Sequence, residues 1–198
     1  MTVALVAFIL LLLTHPRPEI PLFDTVYLAE RLETLTLREA WIFMTSYHTY
    51  ARPVRTVELW GAAHLWGTSA MGYGLANLAG VAILLGAAAS VVTTLTDSRG
   101  RGVAVAALTG LAYPTLYAVL HFPFALNAAL AFTGLALVLE GWTAGAVLLI
   151  LGGLGHEVFL LLALVPVLGE LVALPAIPLR RRTILAPLMG LPLWWMVR

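Results

Sequence analysis

The stretch "MGYGLANLAGVAILLGAAASVVTT", Met71–Thr94, carries no charged residue from end to end. As a helix rising about 1.5 Å per residue it would reach about 36 Å, more than the roughly 30 Å hydrocarbon core of a bilayer. Its small residues, Gly72, Gly74, Ala76, Gly80, Gly86 and Ala87–Ala89, suit close helix packing in lipid. The rest of the chain agrees with this reading: of 198 residues, 61% are hydrophobic and 11% charged, with a mean hydropathy of +0.96. Such a balance belongs to membrane proteins. The Leu/Ala/Gly-rich runs lack the alternation of barrel strands, so the expected class is all-α, a polytopic transmembrane helical bundle.

Working outward, further apolar runs cover Val3–Leu13, Val103–Leu120, Phe124–Leu139, Thr143–Gly155, Val158–Ile177 and Ile184–Val197. With Met71–Thr94 they make about seven short spans in one transmembrane domain, residues 1–198. Val3–Leu13 is read as a first span rather than a cleaved signal, because no basic segment precedes it and no small-x-small site lies before His15-Pro16.

Residues 15–70 differ in kind. They hold Arg17, Arg31, Arg38, Arg52 and Arg55, six acids, and many tyrosines and tryptophans. This mixture fits an outer loop of amphipathic juxtamembrane helices with aromatic residues at headgroup depth. "DTVYLAERLETL" opens on Asp24 as an N-cap, "TLREAWIFMTSY" carries the Thr36–Glu39 capping box, and "VRTVELWGAAHLW" follows Pro53 and ends near Gly67. Residues 71–198 form the bundle.

Arg99, Arg101 and the Arg180–Arg182 cluster set the orientation, since basic loops stay in the cytoplasm. Four spans between the two clusters return the chain to the same side only if residues 143–179 split into two helices. His156 and Glu157 then fall at a turn on the exoplasmic side, together with the 15–70 loop. The expected location is a prokaryotic cytoplasmic membrane with the N-terminus inside.

Ionisable residues at such depth cost about 3 kcal/mol each on insertion scales and mark functional sites by default. His156 and Glu157 are candidates for an active-site rim; the alternative is an internal pair with an arginine of the outer loop. Arg52 and Arg55, with His48 beside them, are candidates for binding phosphate, because guanidinium forks match phosphate oxygens; headgroup contact is the alternative. Asp24 fits both a general base and a helix cap. A divalent cation is a further option for His156 and Glu157, but H-E-x-x-H is absent and no metal site is assigned. A haem on His64, His121 and His156 lacks ligands at matched depth.

The layout resembles the N-terminal module of GT-C membrane glycosyltransferases. The residues that carry the likeness are Asp24-Thr25-Val26-Tyr27-Leu28 after the first span, Arg52-Pro53 opening an aromatic surface helix, the Gly67–Asn77 approach to the next span, Arg99/Arg101 in a short cytoplasmic turn, Pro114, and "WTAGAVLLILGGLGHEVFLLL" as a later span ending in a polar pair. The resemblance implies transfer of a sugar from a polyprenyl-phosphate donor on the exoplasmic side. It implies Asp24 as the base, with His156 and Glu157 beside it, and Arg52, Arg55, His48 and Tyr27 on the substrate. Implied partners are membrane lipids and the lipid-linked sugar.

Two other classes remain open. Members of the GT-C superfamily usually carry more spans, which favours a catalytically silent accessory subunit of a larger membrane complex. "HLWGTSAMGYG" resembles the serine region of rhomboid intramembrane proteases, with Ser69 as nucleophile and His156 as partner, although Ala70 stands where the second glycine is expected. With 11 basic and 10 acidic residues, no basic face is left for nucleic acid. No cysteine is present, which excludes disulfides and thiol chemistry.

Overall fold

A computed structural model describes Val6 and residues 23–47, 52–111 and 123–171. Among the described residues the fold is all-helical, with no strand. Its helices are α1 (Phe23–Leu32), α2 (Leu37–Tyr47), α3 (Pro53–Trp66), α4 (Ala70–Thr96), α5 (Arg99–Leu111), α6 (Phe124–Leu139), α7 (Ala144–Gly155), a 3-10 segment (Glu157–Ala163) and α8 (Leu164–Leu171). Only α4 among them is long and apolar enough to cross a membrane, by length and composition. The helices α6 and α7 are apolar but shorter, at 16 and 12 residues.

Local chemistry sets the boundaries. The capping box forms: Thr36 N donates to Glu39 Oε2 at 2.8 Å, and Glu39 N returns a bond to Thr36 Oγ1 at 3.3 Å. These bonds hold the exposed Glu39 carboxyl below its ordinary range. Pro53 opens α3 with its φ already helical and no amide hydrogen to waste, and Gly67 closes it at φ 52°, a left-handed turn that glycine adopts without strain. Asp97, at φ 49°, ends α4 in the polar "TDSRGRG" turn. Asp24 lies inside the first turn of α1 rather than at its cap, a shift of two residues from the sequence expectation.

Helices α1, α2 and α3 form their own core. Leu28, Leu32, Ala40, Met44, Leu59 and Ala63 are buried together between α1, α2 and α3. Trp60 Nε1 of α3 donates to the Leu35 carbonyl at 2.8 Å and ties α3 to the α1–α2 turn. Below them α4, α6 and α7 pack through glycine: a Cβ on Gly134 would strike the backbone of Gly145 and Leu149, and one on Gly80 would meet the Ala125 backbone at 3.0 Å. Only a missing side chain lets these helix axes come so close.

The chain breaks at His156, whose backbone is extended (φ −153°, ψ 117°). Beyond it the 3-10 segment turns back along α6 and α7, so that Ala163 is buried with Leu135, Leu139 and Leu149. The reversal expected at "GHE" therefore forms. It leaves His156 and Glu157 at the end of the helical layer where α3 lies.

Candidate functional site

Helix α3 brings its charged residues to this end of the layer. Arg52 is the N-cap of α3, and Arg55 and Glu58, three residues apart, project from neighbouring positions on the helix. Arg52 Nε and Nη2 donate to Glu157 Oε2 and Oε1 at 3.1 and 2.9 Å, a bidentate pair in which the arginine side chain is 10% exposed and the glutamate 30%. Arg55 stands near enough to act electrostatically on both Glu58 and His156.

The imidazole of His156 sits edge-on between Phe124 and Phe159, with ring centroids 5.1 and 5.8 Å away. Its Nδ1 is buried, has no hydrogen-bond partner and lies 4.0 Å from Glu157 Oε2. Burial, and then the Arg52 charge, hold the imidazole below its ordinary pKa, so it is neutral at neutral pH.

Glu58 and Asn127 complete the cluster. Asn127 Nδ2 donates to Glu58 Oε2 at 2.9 Å and to the Pro123 carbonyl at 3.1 Å. Asn127 is 1% exposed. Burial pushes the Glu58 carboxyl up to about 8, against the opposing pull of the Asn127 hydrogen bond and the Arg55 charge. Neither residue was among the candidates drawn from sequence. Asn127 interrupts the apolar run "FALNAALAF", a legible signal, whereas Glu58 shares only the three-residue spacing of Arg52 and Arg55, which does not distinguish it from a solvated acid.

Of the sequence candidates, the structure brings together Arg52, Arg55, His156 and Glu157. Tyr27 instead packs against the α1–α3 core, with the Arg31 guanidinium 5.8 Å from its ring centre. His48 lies outside the described residues, as does the side chain of Asp24. Ser69 is the exposed cap residue of α4, and no hydrogen bond joins it to His156.

Chemically, the cluster combines two guanidinium groups, one ionised carboxylate, one carboxyl that favours its acid form and one neutral imidazole. Among the described residues no three of His, Asp or Glu gather as a metal-binding group. No family model, curated protein or solved structure matches this chain. The site is therefore read from its own chemistry: among the described residues two guanidinium groups, Arg52 and Arg55, gather near one ionised carboxylate, Glu157, with Arg52 paired to it.

Proposed function

We propose that the chain is an integral membrane protein of about seven spans, whose outer helices α1–α3 cover a pocket that takes the phosphate of a polyprenyl-phosphate sugar. In this reading the protein is a GT-C-like glycosyltransferase working on the exoplasmic side. The observation that carries it is the meeting of Arg52 and Arg55 with His156 and Glu157, segments about a hundred residues apart, beneath one amphipathic helix. Guanidinium groups bind phosphate oxygens in pairs and stabilise the charge a departing phosphate gains. An acceptor hydroxyl needs a carboxylate to receive its proton, a role the resemblance gives to Asp24. Neutral His156 can accept or donate one hydrogen bond to the acceptor without adding charge.

A second reading has its own support. Arg52 is engaged bidentately by Glu157, as expected for a pair that holds the fold of a catalytically silent subunit.

One experiment separates the two. Purified full-length protein in nanodiscs is incubated with labelled polyprenyl-phosphate sugar, alongside Arg55→Gln and Asp24→Asn. The enzyme reading expects release of the sugar from its phosphate, lost in Asp24→Asn, and donor binding weakened about tenfold or more in Arg55→Gln. Neither binding nor turnover in the wild type leaves the accessory-subunit reading. Turnover unchanged in Asp24→Asn removes Asp24 as base.

A further inference from the structure

Glu58 is held in a way that no other acid among the described residues is. Its Oε2 takes one hydrogen bond from Asn127. The carboxamide of Asn127 cannot turn, because its second amide hydrogen is committed to the Pro123 carbonyl and its Oδ1 is pressed against Gly155 without a partner. The amide therefore presents a nitrogen, and only a nitrogen, to Glu58.

A buried carboxylate stays ionised when two or three donors or a close cation compensate for lost water. Among the described residues the surroundings of half-buried Glu58 fall short of that. From α3 itself Arg55 acts on it; Arg52, at the cap of that helix, is engaged by Glu157. Helices α4, α6 and α7 bring no charged side chain, and the turn after α7 brings neutral His156 and the paired Glu157. Glu30 and Arg31 of α1, Glu33 of the turn after it, and Arg38 and Glu39 of α2 are exposed to solvent. The carboxyl accordingly titrates at about 8, and a proton rests on it at neutral pH.

We propose that Glu58 and Asn127 form a proton-binding site inside the pocket, in which the protonated carboxyl serves as hydrogen-bond donor to a bound phosphate, so that proton and phosphate are held together. An ionised Glu58 would repel the same anion. The phosphate half rests on the reading of the pocket given above; the proton half does not.

Two measurements on full-length protein in nanodiscs test it. Infrared titration of the ligand-free protein reads the protonated-carboxyl band directly. The expected result is a band that disappears with a midpoint near 8, is absent in Glu58→Gln, and shifts to higher pH in Asn127→Leu, which removes a donor that favours the charged form. The glutamine keeps an acceptor oxygen for Asn127, so that variant retains the local geometry. A band that vanishes by about pH 6, or persists in Glu58→Gln, overturns the proton site.

The second measurement is the affinity for polyprenyl phosphate, whose second proton leaves near pH 6 and whose charge is then constant. If binding needs protonated Glu58, affinity falls about tenfold from pH 7 to 9 in the wild type and stays level in Glu58→Gln. A level wild-type profile overturns the coupling. No binding at any pH overturns the phosphate reading and the coupling with it, while the infrared titration still decides the proton site.

Discussion

Arg52 and Glu157, 105 residues apart in sequence, meet in a two-pronged ion pair that fastens the start of α3 to the turn after α7. Both groups are partly shielded from water, so removing one partner leaves a charge poorly solvated. Arg52→Met or Glu157→Leu alone should cost about 2–3 kcal/mol, and the double variant should recover part of that loss. A double-mutant cycle by chemical denaturation in detergent reads the coupling directly. A coupling near zero would mean that the two side chains do not meet in solution.

Gly155 tests the seating of Asn127. A Cβ at residue 155 would collide with the Asn127 carboxamide, which is already fixed at its other end by Glu58 and Pro123. Gly155→Ala is expected to lose about 1–3 kcal/mol through overpacking. Gly61, in the middle of α3, has nothing within 4 Å of an added Cβ. There the same change should be neutral or stabilising by up to about 1 kcal/mol, because alanine favours a helix. Equal effects at the two positions would contradict the packing.

The pH dependence of stability has a definite sign. Glu58 binds its proton with a folded value of about 8 against 4.5 ordinarily, so its contribution is fully present below 4.5 and is lost as pH rises to about 8. The limiting slope is about 1.4 kcal/mol per pH unit. His156 acts oppositely: with its folded value lowered from 6.5, it contributes stability above 6.5 that is lost as pH falls. The two oppose each other on the acid side, and Glu58 acts alone between 6.5 and about 8. Denaturation across that window should show stability falling in the wild type, with a flat profile in Glu58→Gln. A wild-type profile that rises instead would contradict the burial of Glu58.

Much of the fold was legible because its signals are local. Thr36 and Glu39 cap α2 within one turn, Pro53 and Gly67 bracket α3, and "GHE" interrupts an apolar run where the backbone does reverse. The long apolar stretch forms one helix over Ala70–Thr96, whereas Phe124–Leu139 and Ala144–Gly155 are shorter than a bilayer is thick. Seven spans therefore stay a proposal. The site was half legible. Arg52, Arg55, His156 and Glu157 announced themselves by charge against an apolar background. Glu58 did not, since a glutamate on such a helix is ordinarily solvated; only the packing of α3 onto Asn127 half-buries it. That long-range fact is written in no short motif.

The central claim is that the Arg-Pro helix and the His156 turn share one side of a membrane, with the α6–α7 turn on the other. The natural absence of cysteine makes the test clean. Single cysteines at exposed His64 of α3, at His156 and at exposed Trp142 are probed with a membrane-impermeant maleimide in intact cells and in inverted vesicles. The account predicts that positions 64 and 156 react in cells, and that position 142 reacts only in inverted vesicles. Positions 64 and 156 reacting from opposite sides would contradict it.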